Sequence, residues 1–181
     1  MTRDFPMKAA PEGGSKDHIH QRSLWLTHGE VNDIDFWAEV DKSGVIEHQS
    51  VDEVSIENQV ATLRTTAHWL GADGKPLLVE RRTMRIDVSG PSRIVDLKAD
   101  LEAVNGDVHF GDTKEGSFGI RVPDSMAVTS KQGGTIVNDQ GQKDEAAWAQ
   151  PARWVDYSGP VEGEVAGISV LEHPSSFGHP C

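Results

Sequence analysis

The chain has a single cysteine in 181 residues, and it is the last one, Cys181. That excludes internal disulfides, cysteine-rich zinc sites and cysteine-held iron–sulfur clusters. Long apolar runs are missing too. The longest are four or five residues, as at Pro76-Leu77-Leu78-Val79. A membrane-spanning helix needs about 20, so no membrane span is expected. Positive charge is scarce: 17 Lys and Arg stand against 29 Asp and Glu, a net charge of −12. That excess argues against nucleic acid or an anionic membrane surface as the main partner. No apolar stretch follows the opening Met1-Thr2-Arg3-Asp4-Phe5-Pro6, so no signal peptide is read in this chain. Phosphate loops, dinucleotide fingerprints, the Gly-x-Ser-x-Gly elbow and His-Glu-x-x-His are likewise absent.

What remains is a polar chain punctuated by 18 glycines, with no window of convincing helical period. Residues 8–21 read as a loop. Residues 23–27, 34–40, 44–50, 94–104, 117–122 and 164–171 read as strands. The clearest local signal is a hairpin of residues 60–72 and 75–88 about Asp73-Gly74. That dipeptide favours a two-residue turn with both residues at positive φ. Such a turn sets Trp69 opposite Leu78, Leu63 opposite Met84 and Ala61 opposite Ile86, all on one face. The same register puts Ala67 opposite Glu80 and Thr65 opposite Arg82, two charges on an otherwise apolar face. They need each other or a polar cavity, or a slipped register that turns them to solvent. Residues 94–104 alternate Val95, Leu97, Ala99, Leu101 and Ala103 with charged residues, the pattern of a half-buried antiparallel strand. The expected fold is all-β, an antiparallel β-sandwich or a large twisted antiparallel sheet with little helix. Residues 1–181 read as one β-rich domain, cut from a longer protein at both ends.

Three segments can carry chemistry. His18-Ile19-His20 on an extended stretch would point two imidazoles to one side, as a divalent metal pair requires; a His-rich polar loop is the plainer alternative. His28 follows, with Asp17, Glu30, Asp33 and Asp35 near it in sequence. Gly111 to Val122 is the second, where Lys114 and Glu115 are an acid/base couple or simply surface. The third is Trp148 and Trp154, whose rings can stack on a sugar or fill a core. Economy of burial would gather His18, His20, His28, Glu80, Arg82, Lys114 and Glu115 in one cleft. The expected catalytic residues are Glu80, Arg82, Lys114 and Glu115. His28, Asp35, Trp37 and Arg121 would bind substrate, and His18 and His20 a metal.

Three stretches together resemble a known family. They are Trp25-Leu26-Thr27-His28-Gly29-Glu30-Val31-Asn32 with Asp35-Phe36-Trp37, then Gly111-Asp112-Thr113-Lys114-Glu115-Gly116, then Trp154-Val155-Asp156-Tyr157-Ser158-Gly159 with His173-Pro174-Ser175. The chain resembles the bacterial PmoA-like family, also called methane oxygenase PmoA, a domain of unknown function. The resemblance implies a β-sandwich protein, often periplasmic or secreted and often encoded near sugar-oxidising genes, of which this chain would be an internal fragment. It supplies no catalytic residues. The expected function is a carbohydrate-active protein of hydrolase, lyase or epimerase type whose partner is a small molecule, a sugar derivative. A non-catalytic carbohydrate-binding module and a metal-dependent oxygenase are the alternatives. The sequence fixes neither an oligomeric state nor a cofactor; a divalent metal is one option that the two histidines leave open.

Overall fold

Alternation of apolar and polar residues dictates the four long strands, and short turns join them in chain order. The computed structural model describes residues 3–10 and 12–180; Cys181, Met1, Thr2 and Pro11 lie outside the described residues. The strands are β1 (Leu24–His28), β2 (Val45–Glu57), β3 (Val60–Leu70), β4 (Pro76–Asp87), β5 (Ile94–Ala103), β6 (Gly116–Ile120), β7 (Thr135–Asn138), β8 (Trp154–Val161) and β9 (Glu164–Leu171). They form sheets in the orders β1-β6, β2-β3-β4-β5 and β7-β8-β9. The protein is all-β and antiparallel, with no closed barrel. Helix is confined to three short 3-10 segments among the described residues. None is long and apolar enough to cross a membrane.

The chain divides into two units, one of residues 1–25 and 119–181, the other of residues 26–118. In the second unit, β2 to β5 make a meander. Its register matches the sequence reading: Trp69 pairs with Leu78, Ala67 with Glu80, Thr65 with Arg82 and Leu63 with Met84. On β5, Leu101 pairs with Glu80 and Ala99 with Arg82, so the inner face continues across the sheet. The outer face carries Arg81 opposite Asp100 and Arg85 opposite Asp96. Opposite charges at directly facing positions support the pairing.

Two local expectations are corrected. The Asp73-Gly74 turn is not a two-residue turn with both residues at positive φ; only Gly74 is there, at φ 75°. The Asp73 carboxylate accepts the Lys75 amide at 3.0 Å, which holds Asp73 in the ordinary region. Gly74 N–H donates to Gly71 O at 2.9 Å, and the register slips between Trp69 and Leu70. The result is a three-residue loop with a left-handed glycine. The mirror-image two-residue turn occurs instead at Asn58-Gln59 (φ 49° and 67°) and Glu162-Gly163 (φ 52° and 89°).

The second correction concerns residues 34–40, which form no strand. Asn32 and Asp33, at φ 49° and 61°, fold the chain so that Val31 and Ile34 exchange backbone hydrogen bonds. The Asp35 carboxylate then accepts the amides of Trp37 at 2.7 Å and Ala38 at 3.1 Å. Local side-chain acceptors of this kind compete with a ladder. The loop delivers Val31 and Phe36 into the core with Trp69 and Leu78, flanked by Ile34, Ile46, Leu77 and Val108.

In the first unit, β8 packs against the 3-10 segment Asp124–Met126, whose Met126 is fully buried; Asn138 and Ala152 are buried as well. Sequence reading found β9 but neither β7 nor β8. β7 is four residues long, and β8 contains Gly159-Pro160. Pro160 is tolerated because it pairs only with Val165, past the end of β7.

Candidate functional site

The first two of the three resembling stretches meet around His28. Residue 28 ends β1, and Gly111 to Ser117 run back beside it. Gly29 N–H donates to Glu115 O at 2.7 Å and Gly111 N–H to Glu30 O at 2.8 Å. The imidazole is held at both nitrogens: Nε2 lies 2.9 Å from Gly111 O, and Nδ1 lies 3.3 Å from Ser117 Oγ. A carbonyl only accepts, so the neutral ring carries its proton on Nε2. Nδ1 is then the lone-pair nitrogen, and the Ser117 hydroxyl donates to it. The Phe110 ring meets the imidazole edge-on at 5.3 Å between centroids.

Two glycines make this fit. A Cβ at residue 116 would run into the His28 ring, and one at residue 111 into the Glu30 carboxyl group. Sequence reading noted glycine in this segment as a means of close approach; it did not single out Ser117. The missed signal is the pairing of the two segments, which depends on long-range contact.

The other expected residues take varied places. Lys114 is almost fully exposed and forms a 3.5 Å ion pair with Glu115, which is itself about one-third exposed. Both lie beside the His28 segment through the Gly29–Glu115 bond. Asp35 serves the backbone of Trp37 and Ala38. Trp37 is half-buried on that turn. Glu80 is 2% exposed; Trp69 Nε1–H donates to its Oε2 at 2.9 Å, and Arg82 Nε–H to its Oε1. Two charges on the apolar face are therefore satisfied by each other and by the indole.

His18, His20 and Arg121 belong to the other unit. His18 has φ 45°, and Gln21 N–H donates to His18 O at 3.0 Å. The segment turns, in keeping with the loop read for residues 8–21 rather than with the extended metal pair. The two imidazoles sit edge to face, 5.8 Å apart. His18 Nδ1 lies 2.9 Å from Asp17 Oδ2. Among the described residues no three His, Cys, Asp or Glu side chains gather as a metal-ligand set.

Asp17 organises this region. Its carboxylate accepts from Ser15 Oγ at 2.6 Å, from buried Arg3 and from Arg121 Nη2 at 2.9 Å. The Ser15 hydroxyl, then the Arg3 guanidinium, hold its carboxyl far below the usual carboxylate range. Arg121 also donates to Gln21 Oε1 at 2.6 Å. Burial, then the like charge of Arg3, lowers the pKa of Arg121. With Asp124 accepting from the Ser15 amide, two guanidiniums face two carboxylates, and the group closes on itself.

A further feature lies on the sheet of β7 to β9. Trp154 pairs with Leu171, and Asp156 pairs with Val137 and Ser169, so these five side chains share a face. They line an open hollow of about 490 Å³. Trp154 is 37% exposed, and Ser169 Oγ–H donates to Asp156 Oδ2 at 2.7 Å. Farther along the face, Thr135 and Ser158 share a hydrogen bond of 3.1 Å, and Gly167 adds no side chain. Sequence reading weighed Trp154 as either core or platform; alternation alone could not say which face was covered. Trp148 is 82% exposed.

Fold and sites define an antiparallel β-protein with one imidazole locked between a carbonyl and a hydroxyl, and with an aromatic hollow on a separate sheet. The chain belongs to the family of unknown function DUF6807, whose family model matches residues 1–181. No curated protein and no solved structure matches it.

Proposed function

We propose that this protein is carbohydrate-active: the β7–β9 face binds sugar, and the protein acts on a sugar derivative in the manner of a hydrolase, lyase or epimerase. The observation that carries the reading is the Trp154 ring exposed beside Asp156 and Ser169 in one hollow. A pyranose has a face of C–H bonds and an edge of hydroxyls. An indole suits the first by contact and dispersion. A carboxylate already oriented by a serine hydroxyl suits the second, as a strong acceptor for sugar O–H groups. The hollow's volume falls within the ~300–1,000 Å³ usual for small-molecule sites.

His28, Lys114 and Glu115 supply groups able to move protons, and they lie in one neighbourhood. Glu80 has its two oxygens engaged inside the chain, which favours a bracing role. If Glu80→Gln abolishes turnover while the protein stays folded, Glu80 returns to the catalytic set.

The second reading is a non-catalytic carbohydrate-binding module, favoured by a hollow that lies within one unit and opens to solvent. A metal-dependent oxygenase is the third reading, and the metal content of the purified protein separates it from the other two. Titration with a panel of neutral and acidic sugars, followed by tryptophan fluorescence, tests the binding. A saturable change is expected that Trp154→Ala removes; a response unchanged in Trp154→Ala overturns the reading. Turnover of a sugar-derivative library separates enzyme from module.

A further inference from the structure

We infer that Ser117 and His28 form a nucleophile–base pair for acyl transfer, and that the protein removes ester-linked acyl groups. That the alcohol half of the ester is a sugar rests on the proposed function; the serine chemistry does not. The argument starts from the tautomer. Gly111 O takes the only N–H of the neutral ring, so Nδ1 has no choice but to accept. Its acceptor position faces Ser117 Oγ at 3.3 Å. Hydrogen bonds between nucleophile and base are often this long before substrate arrives.

Gly111 O thus does what a buried carboxylate does in a Ser-His-Asp triad: it fixes the tautomer and the ring plane. The nitrogens are exchanged, since here Nδ1 faces the serine. A carbonyl is neutral and stabilises an imidazolium less than a carboxylate would. The pair is therefore suited to esters, whose leaving groups are good, rather than to amides. Ser117 is exposed, so an acyl carbon can approach it. Gly116 offers no side chain to block the ring or the path.

The reaction balances with water as the only co-reactant. Ser117 Oγ bonds to the acyl carbonyl carbon as its proton passes to His28 Nδ1. The tetrahedral intermediate collapses, the ester C–O bond breaks, and the alcohol leaves with the proton from Nδ1. Water, giving a proton to Nδ1, then attacks the acyl-serine. Ser117 leaves with that proton, and a carboxylic acid is released.

The test uses the full chain with two probes, a fluorophosphonate and an acetylated methyl glucoside, with 4-nitrophenyl acetate as the sugar-free ester. The fluorophosphonate is expected to label Ser117 by peptide mapping, and both esters to be hydrolysed. Ser117→Ala should abolish labelling and lower hydrolysis at least ~1,000-fold. His28→Gln, which keeps a donor for Gly111 O, should lower it ~100-fold or more. Ser117→Ala lies at an exposed position, and unchanged circular dichroism confirms that it folds. Absence of label on Ser117, or full hydrolysis by Ser117→Ala, overturns the inference. If 4-nitrophenyl acetate is cleaved through Ser117 but no acetylated sugar is, the sugar reading fails alone. If Ser117 takes no label and the esters are not cleaved through it while other sugar derivatives turn over, the ester inference fails alone.

Discussion

The two ends of the β2–β5 meander follow one alternating pattern and meet different fates. Near the Gly71–Lys75 loop, Trp69 and Leu78 are 1% and 2% exposed. Near the Asn58-Gln59 turn, Val54 and Ile56 on the same face are 71% and 75% exposed. Strand geometry puts all four on one side. Cover is what differs: Phe36 lies 5.1 Å from Trp69 between ring centroids, and Val31 joins them. Both come from the turn after β1. Alternation therefore defines a face, whereas burial depends on what a distant loop brings to it.

That contrast gives a graded set of expectations. The largest effect belongs at the covered end. Trp69→Ala removes the contact with Phe36 and the N–H that Glu80 accepts. A loss of about 3–5 kcal/mol is expected in urea unfolding. A loss below about 1 kcal/mol would mean that this end is no better packed than the other.

The next effect tests whether the His28 neighbourhood is as tightly fitted. Gly116→Ala must push the imidazole aside. A cost of about 1–3 kcal/mol is expected in thermal unfolding. Loss of the hydrogen bond to Gly111 O should also move the His28 ring signals in NMR.

A smaller effect, read through pH, concerns the closed polar group of the first unit. Asp17 has a depressed pKa in the folded state, so it binds its proton more readily when unfolded. Its contribution is full above the unfolded value of about 3.9 and is lost as pH falls through the folded value. Asp17 is half exposed, which limits the stabilisation to about 1 kcal/mol. The unfolding midpoint should drop as pH falls below 4, and Asp17→Asn should flatten that drop. Equal slopes in both proteins would remove Asp17 from the account.

The smallest effect is at the open end. Ile56→Ser should change stability by less than about 0.5 kcal/mol, since the side chain stands in water. A cost near that of a buried residue would show that something covers this face in solution.

The same contrast explains what was legible in the sequence. Local pattern carried β3 and β4 with their register, and β5 as a strand without its partner, because alternation marks a strand and a turn sets the pairing of a hairpin. It also placed Glu80 and Arg82 on the inner face, leaving open mutual pairing, a polar cavity or a slipped register; the structure pairs them. It failed at residues 34–40, where Asn32, Asp33 and Asp35 bend the chain by turn chemistry that apolar composition masks. At His18-Ile19-His20 the loop reading of residues 8–21 holds over the described residues, and His18 takes a left-handed conformation there. Of the candidate site, His28, Lys114 and Glu115 were read as functional types, but Ser117 was not. Its partner lies 89 positions earlier, and no local pattern announces a pairing at that range.

The meander also sets an order of events during folding. Each of its strands pairs with its neighbour in the chain across a short connection, so closing these contacts costs little entropy. Joining Gly29 to Glu115 closes a loop of about 85 residues, a search that grows cheap only once the meander has shortened it. The imidazole and the serine hydroxyl are therefore expected to find each other late. Substitutions there should speed unfolding more than they slow folding, whereas those at the Trp69 end should slow folding itself.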